Sequence, residues 1–150
     1  MLTQKDKTSP KPWQLFSDGA SKGNPGPAGA GWILINDRDS VVVKDFQYLG
    51  EATNNEAEYQ ALLLGLKNAL SIGVQKIRIH MDSELLVRQL TGLYHVRNPR
   101  MAVYFHQVQD LLMKFLKYDI IHIPREKNRE ADAMANEAIR KKKSDLFSSE

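Results

Sequence analysis

The spacing of apolar residues changes near residue 53, and this change limits what the chain can fold into. Before it, short alternating apolar runs are separated by turn residues, which predicts an antiparallel meander of three strands. After it, apolar residues recur every three to four positions, which predicts helices alternating with strands; the first helix begins with a capping box and stops at Gly73. The order β-β-β-α-β-α-α-β-α predicts an α/β fold in which helices flank a five-stranded mixed sheet. The predicted strands are 13–17, 31–35, 41–49, 76–81 and 119–123, and the predicted helices are 54–70, 84–91, 101–116 and 128–143.

Length and charge indicate one folded unit with basic ends. The 150 residues suit a single domain, and a hydrophobic content of 42% is that of a globular chain. We expect a flexible lead-in over 1–12, a folded domain over 13–140 and a basic polar tail over 141–150. The net charge is +3, whereas the body over 13–139 carries −1 because the two ends hold the excess of lysine and arginine. This distribution favours an anionic partner or, equally, a solubilising role for the ends.

Several classes of protein are excluded by what the sequence lacks. There is no cysteine, so disulfides, thiolate metal sites and cysteine nucleophiles are ruled out. The longest aliphatic stretches are too short for a membrane span, and no apolar segment typical of a secretory signal follows the first charges. The Gly/Pro-rich loop predicted over 19–27 has neither a P-loop ending nor a dinucleotide fingerprint. We expect a cytoplasmic monomer without a membrane partner, and the sequence indicates no protein partner.

Four acidic residues lie where one edge of the sheet could bring them together. Asp18 and Asp82 each follow a predicted strand, and ligands bind at the carboxyl ends of strands in open α/β sheets. Glu58 faces the apolar side of the first helix, where an acid is costly unless a cation meets it, whereas Glu56 fits the capping box. Asp132 lies one turn into the last helix. Each acid alone could be a cap or turn residue, but four together would repel one another, and Mg²⁺ or Mn²⁺ would relieve that repulsion.

Four segments resemble, in order, the motifs of the type 1 ribonuclease H family. Together with the elements between them they cover roughly residues 13–140, and four motifs in register are a specific signal. The segments are 16–27, 53–58, 81–84 and 128–132, with the sequences FSDGASKGNPGP, TNNEAE, MDSE and NREAD.

The resemblance implies a fold, an activity and a cofactor. The fold is ribonuclease H-like, and the activity is endonucleolytic cleavage of the RNA strand of RNA/DNA hybrids, leaving 5′-phosphate and 3′-hydroxyl ends. The implied mechanism uses two metal ions, Mg²⁺ or Mn²⁺, bound with the substrate. The implied catalytic and metal-binding acids are Asp18, Glu58, Asp82 and Asp132.

Substrate-binding residues are implied near the same motifs. Asparagines at the first two motifs fall on positions that read the ribose 2′-hydroxyl, and Thr53 falls near a phosphate of the DNA strand. The stretch 85–109 contains three arginines and no acid, so it is either a reduced phosphate-binding surface or a solvated turn. It replaces a basic protrusion that some members of the family insert. The asparagines are Asn24, Asn54 and Asn55, and the arginines are Arg88, Arg97 and Arg100.

The segment before the last helix departs from the family pattern. Members often carry a histidine in a flexible loop there, whereas 124–127 holds none, and we interpret His122 as a structural residue of the preceding strand. Arg125 or Glu126 is the candidate replacement. Two other functions stay open: a module that binds nucleic acid without cutting it, and a nuclease of the same fold that acts on DNA. The four acids disfavour the first, and the ribose-reading asparagines disfavour the second.

Overall fold

Five strands and four α-helices make up residues 11–148, the part of the chain that this computed structural model describes, with side chains as far as residue 143. The strands are β1 (Trp13–Ser21), β2 (Gly26–Ile35), β3 (Val41–Ala52), β4 (Lys76–Met81) and β5 (Lys117–His122). The helices are α1 (Asn54–Ser71), α2 (Glu84–Leu90), α3 (Pro99–Leu112) and α4 (Arg129–Ser148), and a 3₁₀ turn (Arg125–Lys127) precedes α4. The order of elements is the one that the periodicity predicts.

All five strands belong to one mixed sheet in the order β3-β2-β1-β4-β5. β1, β2 and β3 form the predicted antiparallel meander, and β4 and β5 run parallel to β1. The five-stranded mixed sheet is therefore confirmed. β1 is the central strand, and its register with β4 pairs Phe16 with His80, so residue 82 follows β4 at the level of residue 18.

Helices cover both faces of the sheet. The main core lies between one face and α1 to α3, and includes Leu15, Trp32 and Leu62. α4 lies against the other face, where a Cβ placed on Gly31 would stand 2.3 Å from the carbonyl oxygen of Ala131. The helix backbone therefore rests directly on β2, which brings the start of α4 close to the end of β1.

Several predicted boundaries are wrong, including the end of β3, which continues three residues beyond the predicted 41–49 to Ala52. The loop predicted over 19–27 is shorter, because β1 and β2 stay paired as far as Ser21 and Ala28; Asp18 consequently lies within β1 and not at its end. The helix predicted over 101–116 is α3, which starts at Pro99, where Asn98 caps it, and ends at Leu112. β5 starts two residues earlier than predicted, since Lys117 pairs with Lys76.

The C-terminal helix is longer than predicted. α4 continues to Ser148, so most of the segment predicted as a polar tail is helical. Residues 1–10 and 149–150 lie outside the described residues, and the division into a domain and two tails stays a prediction. None of the helices within 11–148 has the length and apolar composition needed to cross a membrane.

Candidate active site

Three of the four predicted acids form a cluster at one edge of the sheet. Asp18, Glu58 and Asp82 each offer one carboxylate oxygen, and these three atoms lie within 4.8 Å of one another. Asp18 comes from the central strand, Asp82 follows the neighbouring parallel strand, and Glu58 lies on α1 near its N-terminus. The parallel register of β1 and β4 thus provides two of the carboxylates, and the first turns of α1 provide the third.

Gly19 allows α1 to approach the strand closely enough to complete this cluster. A Cβ at Gly19 would stand 2.2 Å from the carbonyl carbon of Ala57 and 2.4 Å from the backbone nitrogen of Glu58. No side chain fits at that distance without moving the helix or the strand. The glycine that follows Asp18 therefore sets the separation between Asp18 and Glu58.

The electrostatics of the cluster favour a bound cation. Burial raises the pKa of Asp18 to about 9, and the charges of Asp82 and Glu58 add to the effect. Burial also raises the pKa of Glu58 to about 7, with a further contribution from Asp82 that Ser83 and Arg125 oppose. Acids shifted in this direction are stabilised by a nearby positive charge, and carboxylate oxygens suit hard divalent cations. The donor set therefore fits a divalent metal ion.

Asp132 lies beside this cluster and not within the group of three. Its carboxyl group is close enough to that of Asp18 to contribute to the raised pKa of Asp18. Asn136, one turn further along α4, holds Asp132: its Nδ2 donates to the Asp132 carbonyl oxygen at 2.9 Å and to Oδ1 at 3.2 Å. All four predicted acids therefore lie at one site.

Asn128 is a residue of this site to which the sequence assigned no role. It is 1% exposed, and its Nδ2 donates to the Ser17 carbonyl oxygen at 3.0 Å and to Oδ2 of Asp82 at 2.9 Å. It thus fixes Asp82 to the backbone of the central strand. The available signal was its place in the fourth motif, one helical turn before Asp132.

A separate pocket of about 410 Å³ collects most of the predicted substrate-binding residues. It lies between the start of α1, the β1–β2 loop and the start of α3. Arg100 reaches across it to pair with Oε2 of Glu56 at 2.9 Å, while Glu56 also completes the predicted capping box with Thr53. Asn98, the cap of α3, also lines the pocket and was not predicted. The predicted residues in its lining are Asn24, Thr53, Asn54, Asn55 and Arg100.

The other two predicted arginines lie outside that pocket. Arg88 pairs with Glu84 on the same helix, with 2.8 Å between Nε and Oε1, and its guanidinium lies over the ring of Tyr94. Arg97 is exposed in the connection between α2 and α3. His122 ends β5, where its Nε2 lies 3.3 Å from the carbonyl oxygen of Asp82.

Comparisons with known proteins agree with the fold and the motifs. A family model described as reverse transcriptase-like matches residues 16–138. A ribonuclease HI of Halobacterium salinarum is 41% identical over 124 residues, which cover 83% of this chain and 62% of the relative. A protein of Mycobacterium tuberculosis named as bifunctional is 39% identical over 83% of this chain, and the match covers 35% of that protein. The chain therefore spans less than two thirds of the length of these relatives.

Two solved structures match over almost their whole length. The crystal structure of ribonuclease H1 from Halobacterium salinarum superposes with a TM-score of 0.85 at 39% identity, covering 87% of this chain and 99% of that chain. The structure of LC11-RNase H1 in complex with an RNA/DNA hybrid gives a TM-score of 0.82 at 37% identity, covering 86% of this chain and 97% of that chain.

Proposed function

Since this chain belongs to the type 1 ribonuclease H family, we propose that it hydrolyses the RNA strand of RNA/DNA hybrids and leaves 5′-phosphate and 3′-hydroxyl ends. The observation that carries the proposal is the convergence of Asp18, Glu58 and Asp82 within 4.8 Å, with Asp132 beside them. A cytoplasmic location is part of the same proposal.

The four acids would hold divalent metal ions, two with substrate, and Mg²⁺ or Mn²⁺ are the ions that suit their oxygens. Bound there, such ions would supply the positive charge that activates the attacking water and stabilises the leaving 3′ oxygen. The chain itself fixes the acids: Asn128 orients Asp82, and Asn136 orients Asp132. A carboxylate that is held in place loses less freedom when it binds its ligand.

The asparagines of the first two motifs are joined by their own hydrogen bonds. The Oδ1 of Asn24 accepts from the backbone nitrogen of Asn54 at 3.0 Å, and the Oδ1 of Asn54 accepts from that of Ser21 at 3.1 Å. Because these oxygens are used within the protein, the amide NH₂ groups are the ones that can donate to a substrate. A ribose 2′-hydroxyl can accept such a bond, and a deoxyribose cannot. Asn55 lies in the same pocket and is proposed to take part.

Thr53 and Arg100 would bind a phosphate of the DNA strand in the same pocket. The hydroxyl of Thr53 accepts from the backbone nitrogen of Glu56 at 3.2 Å, so its hydrogen remains available for a phosphate oxygen. Glu56 orients the guanidinium of Arg100 towards the pocket. Arg88 and Arg97 lie further along the α2–α3 side, where we propose weaker phosphate contacts.

Cleavage of a labelled RNA/DNA hybrid during titration with Mg²⁺ or Mn²⁺ tests the proposal. We expect metal-dependent cleavage of the RNA strand that Asp18→Asn abolishes while the far-ultraviolet circular dichroism stays unchanged. Asp110→Asn is the matched control, because this exposed acid on α3 lies outside the cluster and should keep full activity. Near-normal cleavage by Asp18→Asn would refute the assignment of the site.

The same assay separates the two alternative functions. A module that only binds would retain the hybrid without cutting it at any metal concentration. A nuclease directed at DNA would cut duplex DNA at least as fast as the hybrid. We expect neither, because the amide NH₂ groups of Asn24 and Asn54 remain available to donate to a ribose 2′-hydroxyl, a group that duplex DNA lacks.

A further inference from the structure

A second polar pocket, of about 340 Å³, adjoins the carboxylate cluster on the side of α4. Asp132 forms part of its wall next to the cluster, and Asn54 lines both this pocket and the pocket of about 410 Å³ described above. Two cationic residues, Lys22 and Arg125, also line it. This volume leaves room for a polar group larger than one water molecule.

Lys22 is held in this pocket by a neutral partner. Its Nζ donates to Oδ1 of Asn136 at 2.9 Å, and the NH₂ group of the same amide holds Asp132. By contrast, Arg88 and Arg100 each pair with a carboxylate. Since this amide is a neutral partner, Lys22 is available to pair with an anion that enters the pocket.

Arg125 brings a second positive charge to the lining of the same pocket. It belongs to the 3₁₀ turn before α4, and its charge acts on Glu58 of the cluster. Two cations and an amide from three separate segments thus face one cavity beside the site of hydrolysis. Phosphate oxygens are the ligands that such a set recognises.

We propose that Lys22 and Arg125 form a subsite for the RNA-strand phosphate next to the scissile one, with Asn136 positioning Lys22. This rests on the proposed function, because it assumes that the RNA strand passes from the asparagines to the acids. A strand that follows this path carries its neighbouring phosphate through the pocket that both sets of residues border. The subsite would hold the strand in register while the next linkage is cut.

Hybrid binding measured as a function of salt tests the charge contact. The binding protein carries Asp18→Asn so that the hybrid is not cut, and Lys22→Met, Lys22→Arg or Lys67→Met is added. The slope of log K against log[salt] is negative, and loss of one phosphate contact makes it about 0.9 less steep. Between 50 and 200 mM salt, the affinity of the variant should therefore fall by a factor about 3.5 times smaller than that of the parent protein. We expect this change for Lys22→Met, and neither for Lys22→Arg nor for Lys67→Met, which alters an exposed residue of α1.

Single neutral linkages then locate the contact. In a series of hybrids, a single deoxynucleotide with a methylphosphonate linkage is moved along the RNA strand, one position per hybrid. Each control hybrid carries the same deoxynucleotide at the same position with an ordinary phosphate. At the linkage adjacent to the cleavage site, the neutral linkage should weaken hybrid binding by the protein with Asp18→Asn alone, and it should have no effect once Lys22→Met is added. Equal salt slopes for the Lys22→Met and Lys67→Met proteins, or no position that couples to Lys22, would overturn the subsite. If the protein carrying Asp18→Asn alone fails to prefer the hybrid over duplex DNA, the proposed function fails together with the subsite.

Discussion

Replacement of Asn128 by alanine is the sharpest test of how the acidic cluster is held together. The change removes two hydrogen bonds from a side chain that is 1% exposed: one to the Ser17 carbonyl oxygen and one to the carboxylate of Asp82. A hydrogen bond to a charged group contributes roughly 1.5–3 kcal/mol, and a neutral one about 1 kcal/mol. We therefore expect Asn128→Ala to lower the free energy of unfolding by roughly 2.5–4 kcal/mol.

The matched control is Asn68→Ala, which removes an amide far from the cluster. The Oδ1 of Asn68 accepts from Nε1 of Trp32 at 3.0 Å, a single neutral bond, so its loss should cost about 1 kcal/mol. Urea denaturation of both variants, read as the midpoint at constant m-value, gives the two free energies. Activity is then compared under conditions in which both variants are fully folded.

The effect on hydrolysis separates a positioning role from a purely structural one. Without Asn128, the Asp82 carboxylate is free to rotate, and a misplacement of about 1 Å at a reacting centre costs about 100-fold in rate. We expect a loss of this order and weaker metal binding for Asn128→Ala, and unchanged hydrolysis for Asn68→Ala. An Asn128→Ala protein with full activity, or one no less stable than Asn68→Ala, would refute the reasoning.

Three further outcomes are expected. In metal-free protein, the raised pKa values of Asp18 and Glu58 mean that the folded chain retains protons that the unfolded chain releases. The free energy of unfolding should therefore fall as the pH rises from about 4 to about 9, and urea titrations showing the opposite trend would contradict these shifts. Gly19→Ala should lower the free energy of unfolding by about 3 kcal/mol or more. It should also lower metal affinity, because its Cβ would meet the backbone of α1. Gly65→Ala should cost less, because its Cβ would meet the side chain of Leu15 and no backbone atom. Equal losses of stability for the two variants in thermal unfolding would show that the backbone at Gly19 adapts. Deleting 141–150 should reduce the salt slope of hybrid binding if its lysines contact phosphates, and an unchanged slope would contradict that role.

The sequence predicted the elements of this fold better than their ends. The switch in period from 2 to 3.6 places every strand and helix in order, because burial on one face of an element leaves a pattern in its own residues. The loop predicted over 19–27 is partly strand, since glycine and proline indicate turns locally whereas pairing with β2 continues as far as Ser21. That pairing is a tertiary effect and leaves no signal in the segment itself.

The site was predicted unevenly for a similar reason. The position of each acid in its strand or helix made it a candidate site residue. Only the resemblance to a family indicated that the four side chains form one site. The hydrogen bonds around the acidic cluster could not be predicted from the sequence. Asn128 donates to the carbonyl oxygen of Ser17, 111 positions away, and Lys22 donates to Asn136, 114 positions away. Such contacts depend on how β1 and α4 pack, and no local periodicity reports that packing.

The central position of β1 also determines where this molecule can move. Asp18 lies on the central strand, which pairs with β4 as far as Phe16 and with β2 along its length, so the amides of β1 should exchange with solvent only when the whole domain unfolds. The connection over 91–98 and the short loop over 22–25 lack that pairing, and they border the surfaces proposed to meet the hybrid. Hydrogen exchange should therefore slow in these two segments when a hybrid binds and stay the same along β1. The protein would then adjust to the width and sequence of its substrate through the segments 91–98 and 22–25, while Asp18 on the central strand stays fixed.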